Sequence, residues 1–131
     1  MGKEKVLIVN NNPVARSNLA RLLSHAGYEL DVAVNSEDTL AKVRTAKGFD
    51  LLVMDTNLPT LNGFQVLDAL RENGFGNIPA VLLTSKSSPT EIARRHDKGA
   101  IVFVQQPFLE PALLNAVEYA LQANKTPKAE I

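Results

Sequence analysis

Four short clusters in this chain carry groups that could do chemistry: Asn10-Asn11-Asn12, Asp55-Thr56-Asn57, Thr84-Ser85-Lys86 and Gln105-Gln106-Pro107. Each follows directly on four apolar residues. Between them they offer one carboxylate, hydroxyls, neutral amides and one ammonium, the groups that hydrogen-bond a polar ligand or ligate a hard cation. A lone Asp after an apolar run is in most proteins a solvated turn residue or a helix cap, and a loop lysine such as Lys86 is usually solvated. Other chemistries are missing from the sequence. The chain has no cysteine, which removes disulfides, thiolate–zinc sites and thiol nucleophiles together. Neither His25 nor His96 has a companion that suggests a metal site, and there is no Ser–His–Asp or paired-carboxylate arrangement.

The elements that must position these clusters alternate regularly. Short β-branched or apolar runs at 6–9, 30–34, 51–54, 80–83 and 101–104 read as strands. Between them lie segments of helical period. Pro13 suits the first turn of a helix with Asn12 as its cap, Val14, Leu19, Leu22 and Leu23 form its apolar stripe, and Gly27 stops it. Ser36 is placed to cap a second helix, with Leu40 and Val43 on one face and Gly48 after it. Phe64, Val66, Leu67 and Leu70 predict a third, broken at Asn73-Gly74. Ser88-Pro89 opens a fourth that runs to about Lys98, and 109–121 forms the last.

Five strand-then-helix units predict an α/β fold: a five-stranded parallel sheet with right-handed crossovers and helices on both faces, in three layers. In such a sheet, ligands gather outside the carboxyl ends of the strands, near the switch in strand order. All four clusters fall there. Residues 1–122 are expected to form this one domain, and 123–131, polar with one Pro, a tail or linker stub.

Bulk properties narrow the function. A chain of 131 residues is about one domain long, and 45% hydrophobic with 21% charged residues is ordinary for a soluble globular protein. Lys+Arg and Asp+Glu both number 14, so no global basic field exists to hold nucleic acid or an anionic membrane. The N-terminal apolar run of four is too short for a signal peptide or a membrane span. A soluble, cytoplasmic protein is expected.

Together the blocks resemble the response-regulator receiver domains of two-component systems. Val6-Leu7-Ile8-Val9-Asn10-Asn11-Asn12-Pro13 is similar to the family's first strand and acidic pair. Residues 51–63 resemble the phosphoacceptor strand with its proline-and-glycine loop, here Pro59 and Gly63. Val81-Leu82-Leu83-Thr84-Ser85 resembles the strand that ends in a hydroxyl residue. Residues 101–108 resemble the last strand and its Lys-Pro-Phe motif, with Gln106 at the lysine position before Pro107. The resemblance implies that Asp55 is the phosphoacceptor, that the backbone carbonyl of Asn57 is a metal-ligand position, and that Thr84 and Phe103 form a switch pair. It also makes the Gln106–Pro107 bond a candidate cis peptide, and implies the family's three-layer, doubly wound (βα)5, flavodoxin-like α/β fold, with the five-stranded parallel sheet in the order 2-1-3-4-5.

The departures from the family pattern decide what the resemblance implies about activity. Asn10 and Asn11 replace two carboxylates, and Mg²⁺ is held by oxygen ligands that usually include carboxylates. Gln106 donates a hydrogen bond but cannot replace the lysine's ion pair with a phosphoryl group. Phe103 has no hydroxyl, and Ser85 stands where the family favours a very small residue. The expectation is a pseudo-receiver: not an enzyme, with weak or no Mg²⁺ binding, no cofactor, and a pocket that is stable without metal. Its partner would be a histidine kinase or an effector domain, and it would be a monomer or a weak homodimer. The contact face would be formed by the fourth helix, last strand and last helix, where Glu91-Ile92-Ala93-Arg94-Arg95-His96 is either a docking surface or a solvated helix face. Two alternatives stand beside it: a working response regulator phosphorylated on Asp55, and a flavodoxin-like nucleotide or cofactor binder. The latter lacks a glycine-rich phosphate loop, since Asn10-Asn11-Asn12-Pro13 stands in its place.

Overall fold

The computed structural model describes residues 4–45, 48–58, 61–75, 77–84, 101–106 and 108–125. The predicted fourth helix, Ser85, Lys86, the segment 91–96, Pro59 and Pro107 lie outside the described residues.

Continuous apolar runs become fully buried strands: β1 (Lys5–Val9), β3 (Leu51–Asp55) and β4 (Ala80–Thr84) bury nearly every residue. With β2 (Glu29–Ala33) and β5 (Ile101–Gln105) they form one parallel sheet in the order β2-β1-β3-β4-β5. This is the order predicted from sequence. Alternate residues on each strand feed opposite cores, as the period of two requires. Val6, Ile8, Leu51, Val53, Val81 and Leu83 face α1 (Pro13–His25) and α4 (Glu110–Lys125). Leu7, Val9, Leu52, Met54 and Leu82 face α2 (Ser36–Thr45) and α3 (Gly63–Glu72). Helices therefore cover both faces.

Local chemistry sets the helix ends. The Asn12 side chain accepts from the Val14 and Ala15 amides at 2.9 and 3.0 Å, capping α1 with Pro13 at its first position. In α3, Asn62 and Gln65 form a reciprocal capping box at 2.9 Å each way. The predicted breaker Gly74 has φ 90°, a conformation that costs other residues strain.

Three sequence expectations are corrected. The side chain capping α2 is Asn35, which accepts from the Asp38 amide at 2.8 Å, while Ser36 is buried as the helix's first residue. Val14, assigned to the apolar stripe of α1, is 68% exposed, because five residues before the buried Leu19 it lies about 140° away round the helix. The last helix continues to Lys125, past the predicted end at 121, so residues 123–125 are helical.

Candidate functional site

β3 carries Asp55 out of the core on a run of buried residues and leaves its carboxyl half-buried at the strand end. The Asn57 N–H donates to Asp55 Oδ1 at 2.9 Å. Burial pushes the carboxyl above its ordinary value of 3.8, and the Asn57 amide and the Gln106 side chain act in the opposite direction. Asn57 thus meets Asp55 through its N–H.

β4 and β5 bring in the other groups. Asp55 pairs in register with Leu83, and Thr84 pairs with Gln105. The Gln106 N–H donates to the Thr84 carbonyl at 2.7 Å, which holds Gln106 beside the end of β4 and lets its side-chain amide act on Asp55. The Thr84 hydroxyl is 1% exposed and has no hydrogen-bond partner among the described residues. The backbone between Asp55 and α3 is pinned by Thr56, whose N–H donates to the Leu83 carbonyl at 3.0 Å, and by the Gly63 N–H, which donates to the Thr56 carbonyl at 3.0 Å. A Cβ on Gly63 would lie 3.0 Å from Thr56 Cα and 3.3 Å from the Asp55 carbonyl oxygen. Only glycine lets α3 start this close to the acid.

The loop after β1 completes the site. Asn10 is 3% exposed, and its bonds are largely committed. Its N–H donates to the Ala33 carbonyl at 3.1 Å, and its Oδ1 accepts from the Asn12 N–H at 2.8 Å. Its carbonyl accepts from Arg16 Nη1 at 2.9 Å. Asn11 is exposed and turns away, its Nδ2 donating to the Val34 carbonyl at 3.3 Å. Phe103 is half-buried, its ring 5.8 Å from that of Phe64 and tilted by 34°, packed on the α2–α3 side of the sheet.

Asp55, Asn57, Thr84, Gln106 and Asn10 therefore gather at the carboxyl edge of the sheet. Asn11 stands apart, tied to the loop after β2. Arg16 was not singled out in the sequence. Its signal was a basic residue in the opening of a helix whose first turn holds no acid.

The family model for the response regulator receiver domain matches residues 6–118. The chain belongs to this family. Among its relatives, the DNA-binding response regulator MtrA of Mycolicibacterium smegmatis is 28% identical over 129 residues, covering 98% of this chain and 55% of that protein. The response regulator MprA of Mycobacterium leprae is 31% identical over 121 residues, covering 92% of this chain and 52% of MprA. The receiver thus spans about half the length of these curated relatives. Among solved structures, the chemotaxis response regulator CheY4 of Vibrio cholerae is 30% identical with a TM-score of 0.83, covering 92% of this chain and all of that one. The receiver family and its CheY-like fold are the ones expected from the four strand-end blocks.

Proposed function

We propose that this receiver signals by binding a partner, with its strand-end pocket held by hydrogen bonds in place of Mg²⁺. The observation that carries this reading is the commitment of the two asparagines at the acidic-pair positions. Asn10 Oδ1, the atom that would have to face a metal, accepts the Asn12 N–H at 2.8 Å. Asn11 uses its amide nitrogen on the Val34 carbonyl, a bond that a carboxylate cannot donate. Among the described residues at the carboxyl ends of the strands, Asp55 alone carries a carboxylate, and one of its oxygens takes the Asn57 N–H. Among the described residues no group of three or more His, Cys, Asp or Glu side chains converges. This donor set does not fit a Mg²⁺ site, which calls for several oxygens including anionic ones.

Gln106 supports the same reading. It reaches Asp55 as a neutral donor, so the place of a lysine's ion pair is taken by a hydrogen bond that needs no phosphoryl group. In this account Asp55 keeps the phosphoacceptor position without the charges that make it reactive. Thr84 and Phe103 occupy the switch positions, and Pro59, Gly63 and Pro107 shape the loops. The domain, whose last helix runs to Lys125, is a monomer or weak homodimer in the cytoplasm, is not an enzyme, and uses no cofactor. It pairs with a histidine kinase or an effector domain and does not itself contact nucleic acid. MtrA is named as DNA-binding, and this chain corresponds to about half of it.

A second reading, a working switch phosphorylated on Asp55, is favoured by one observation: the buried Thr84 hydroxyl without a described partner, one residue beyond the pair of Asp55. Incubation with Mg²⁺ and acetyl phosphate, followed by intact mass and NMR, separates the two. The pseudo-receiver reading expects unmodified mass. A stoichiometric adduct on Asp55 with shifts at Thr84 and Phe103 would establish the switch.

A further inference from the structure

β2 stands at one end of the strand order, so one row of its backbone groups faces away from the sheet. The Glu29 N–H donates to the Glu4 carbonyl at 2.9 Å, and the Ala33 carbonyl accepts from the Asn10 N–H at 3.1 Å. Odd-numbered residues therefore bond β1, and the alternation of a strand turns the backbone groups of Leu30, Val32 and Val34 outward. Such a row is a template for another strand.

Here side chains occupy it. The Val32 N–H donates to Asp31 Oδ1 at 2.8 Å, and the Val32 carbonyl accepts from Lys42 Nζ, which reaches across from α2. The same ammonium pairs with Asp31 Oδ1 at 3.2 Å, tying the two caps together. At the next outward residue, the Val34 N–H donates to Asp38 Oδ2 at 3.1 Å and the Val34 carbonyl accepts from Asn11 Nδ2 at 3.3 Å. Taken singly, each is an ordinary loop or helix-end contact. Together they leave an incoming strand nothing to bond at Val32 and Val34 until side chains give way.

We propose that the β2 edge is a pairing surface for a second copy of this chain, held shut by Asp31, Lys42, Asp38 and Asn11. A second copy is the occupant because identical edges match about a two-fold axis. Antiparallel β2 strands centred on Val32 exchange both bonds of that residue and set Leu30 opposite Val34. The row suits such a pair, since all three side chains are apolar and Val34 is already exposed. The inference uses only the bonds around β2, so it stands separately from the pseudo-receiver reading.

Sedimentation velocity over a concentration series, on the full chain, tests it. Asp31→Ala/Lys42→Met, which uncovers both groups of Val32, should self-associate more tightly than wild type by about tenfold or more in Kd. Mixed labelled and unlabelled copies of that variant should show NMR contacts between the two Val32 residues. Adding Val34→Lys, a change at an exposed side chain that sets an ammonium opposite Leu30, should return the association to the wild-type level. Unchanged association of the opened variant, contacts elsewhere than β2, no effect of Val34→Lys, or pairing through β2 in wild type would overturn the proposal. Should the double variant fail to fold, Lys42→Met alone uncovers the Val32 carbonyl, and its association must still exceed that of wild type.

Discussion

The side-chain nitrogen of Asn11 donates to the backbone carbonyl of Val34 at 3.3 Å, joining the loops after β1 and β2 across 23 residues of sequence. Aspartate at this position has no donor and would set its carboxylate against the carbonyl oxygen. Asn11→Asp should therefore destabilise the metal-free protein by roughly 0.5–1.5 kcal/mol, the net worth of one such hydrogen bond. Urea unfolding in EDTA measures this. An unchanged or raised midpoint would show that the bond does not hold the loop.

Asp55 makes stability depend on pH with a definite sign. Its folded-state value is raised by burial, so the folded protein binds this proton more tightly than the unfolded chain does. The contribution to stability is full below the unfolded value and is lost as pH rises through the folded one. Asp55→Asn should therefore gain stability relative to wild type as pH rises from the ordinary 3.8 toward neutrality. Because the Gln106 side chain lowers the value, Gln106→Leu should raise it further, as read from the carboxyl carbon shift of Asp55 in an NMR titration. A downward shift in that variant would remove Gln106 from the site.

Thr84 offers a test of its buried hydroxyl. A hydroxyl that is 1% exposed with no described partner costs stability, and valine has nearly the same shape. Thr84→Val should leave thermal stability unchanged or raise it by about 1 kcal/mol. A clear loss would mean that the hydroxyl holds the fold together.

Gly63 is expected to tolerate no side chain. In Gly63→Ala the new carbon presses on Thr56 Cα at 3.0 Å, a backbone atom that cannot swing aside. Overpacking outweighs the gain in helix propensity, for a net loss of about 1–2 kcal/mol in denaturant unfolding. Amide shifts at Asp55 and Thr56 should accompany it.

The strands were legible because four of the five are unbroken apolar runs bounded by polar residues, as a sheet covered on both faces requires, while their order followed from the resemblance to receiver domains. Asn12 was readable as a cap because its bonds to Val14 and Ala15 are local. Asn35 and Ser36 are adjacent and equally suited to capping, so only the backbone geometry could choose between them. Val14 is apolar but does not share the face of the buried Leu19 and Leu23, from which it is turned about 140° or more at 3.6 residues per turn. The extension to Lys125 lacks apolar residues to mark it, apart from Ala123. At the site, the strand-end rule found Asp55, Thr84 and Gln106. It could not find Arg16 on the Asn10 carbonyl, or the Asn11 bond to Val34, because both depend on how α1 and the loop after β2 dock.

The central claim is that hydrogen bonds have replaced Mg²⁺ at Asp55. A Mg²⁺ titration of the wild-type chain beside the Asn10→Asp/Asn11→Asp double variant, followed by the amide shifts of Asp55 and Asn57, tests it most directly. The account predicts no saturable shift in wild type at millimolar Mg²⁺ and a saturable one in the variant, where three carboxylates again converge. Saturable shifts at Asp55 and Asn57 in the wild-type protein would contradict it.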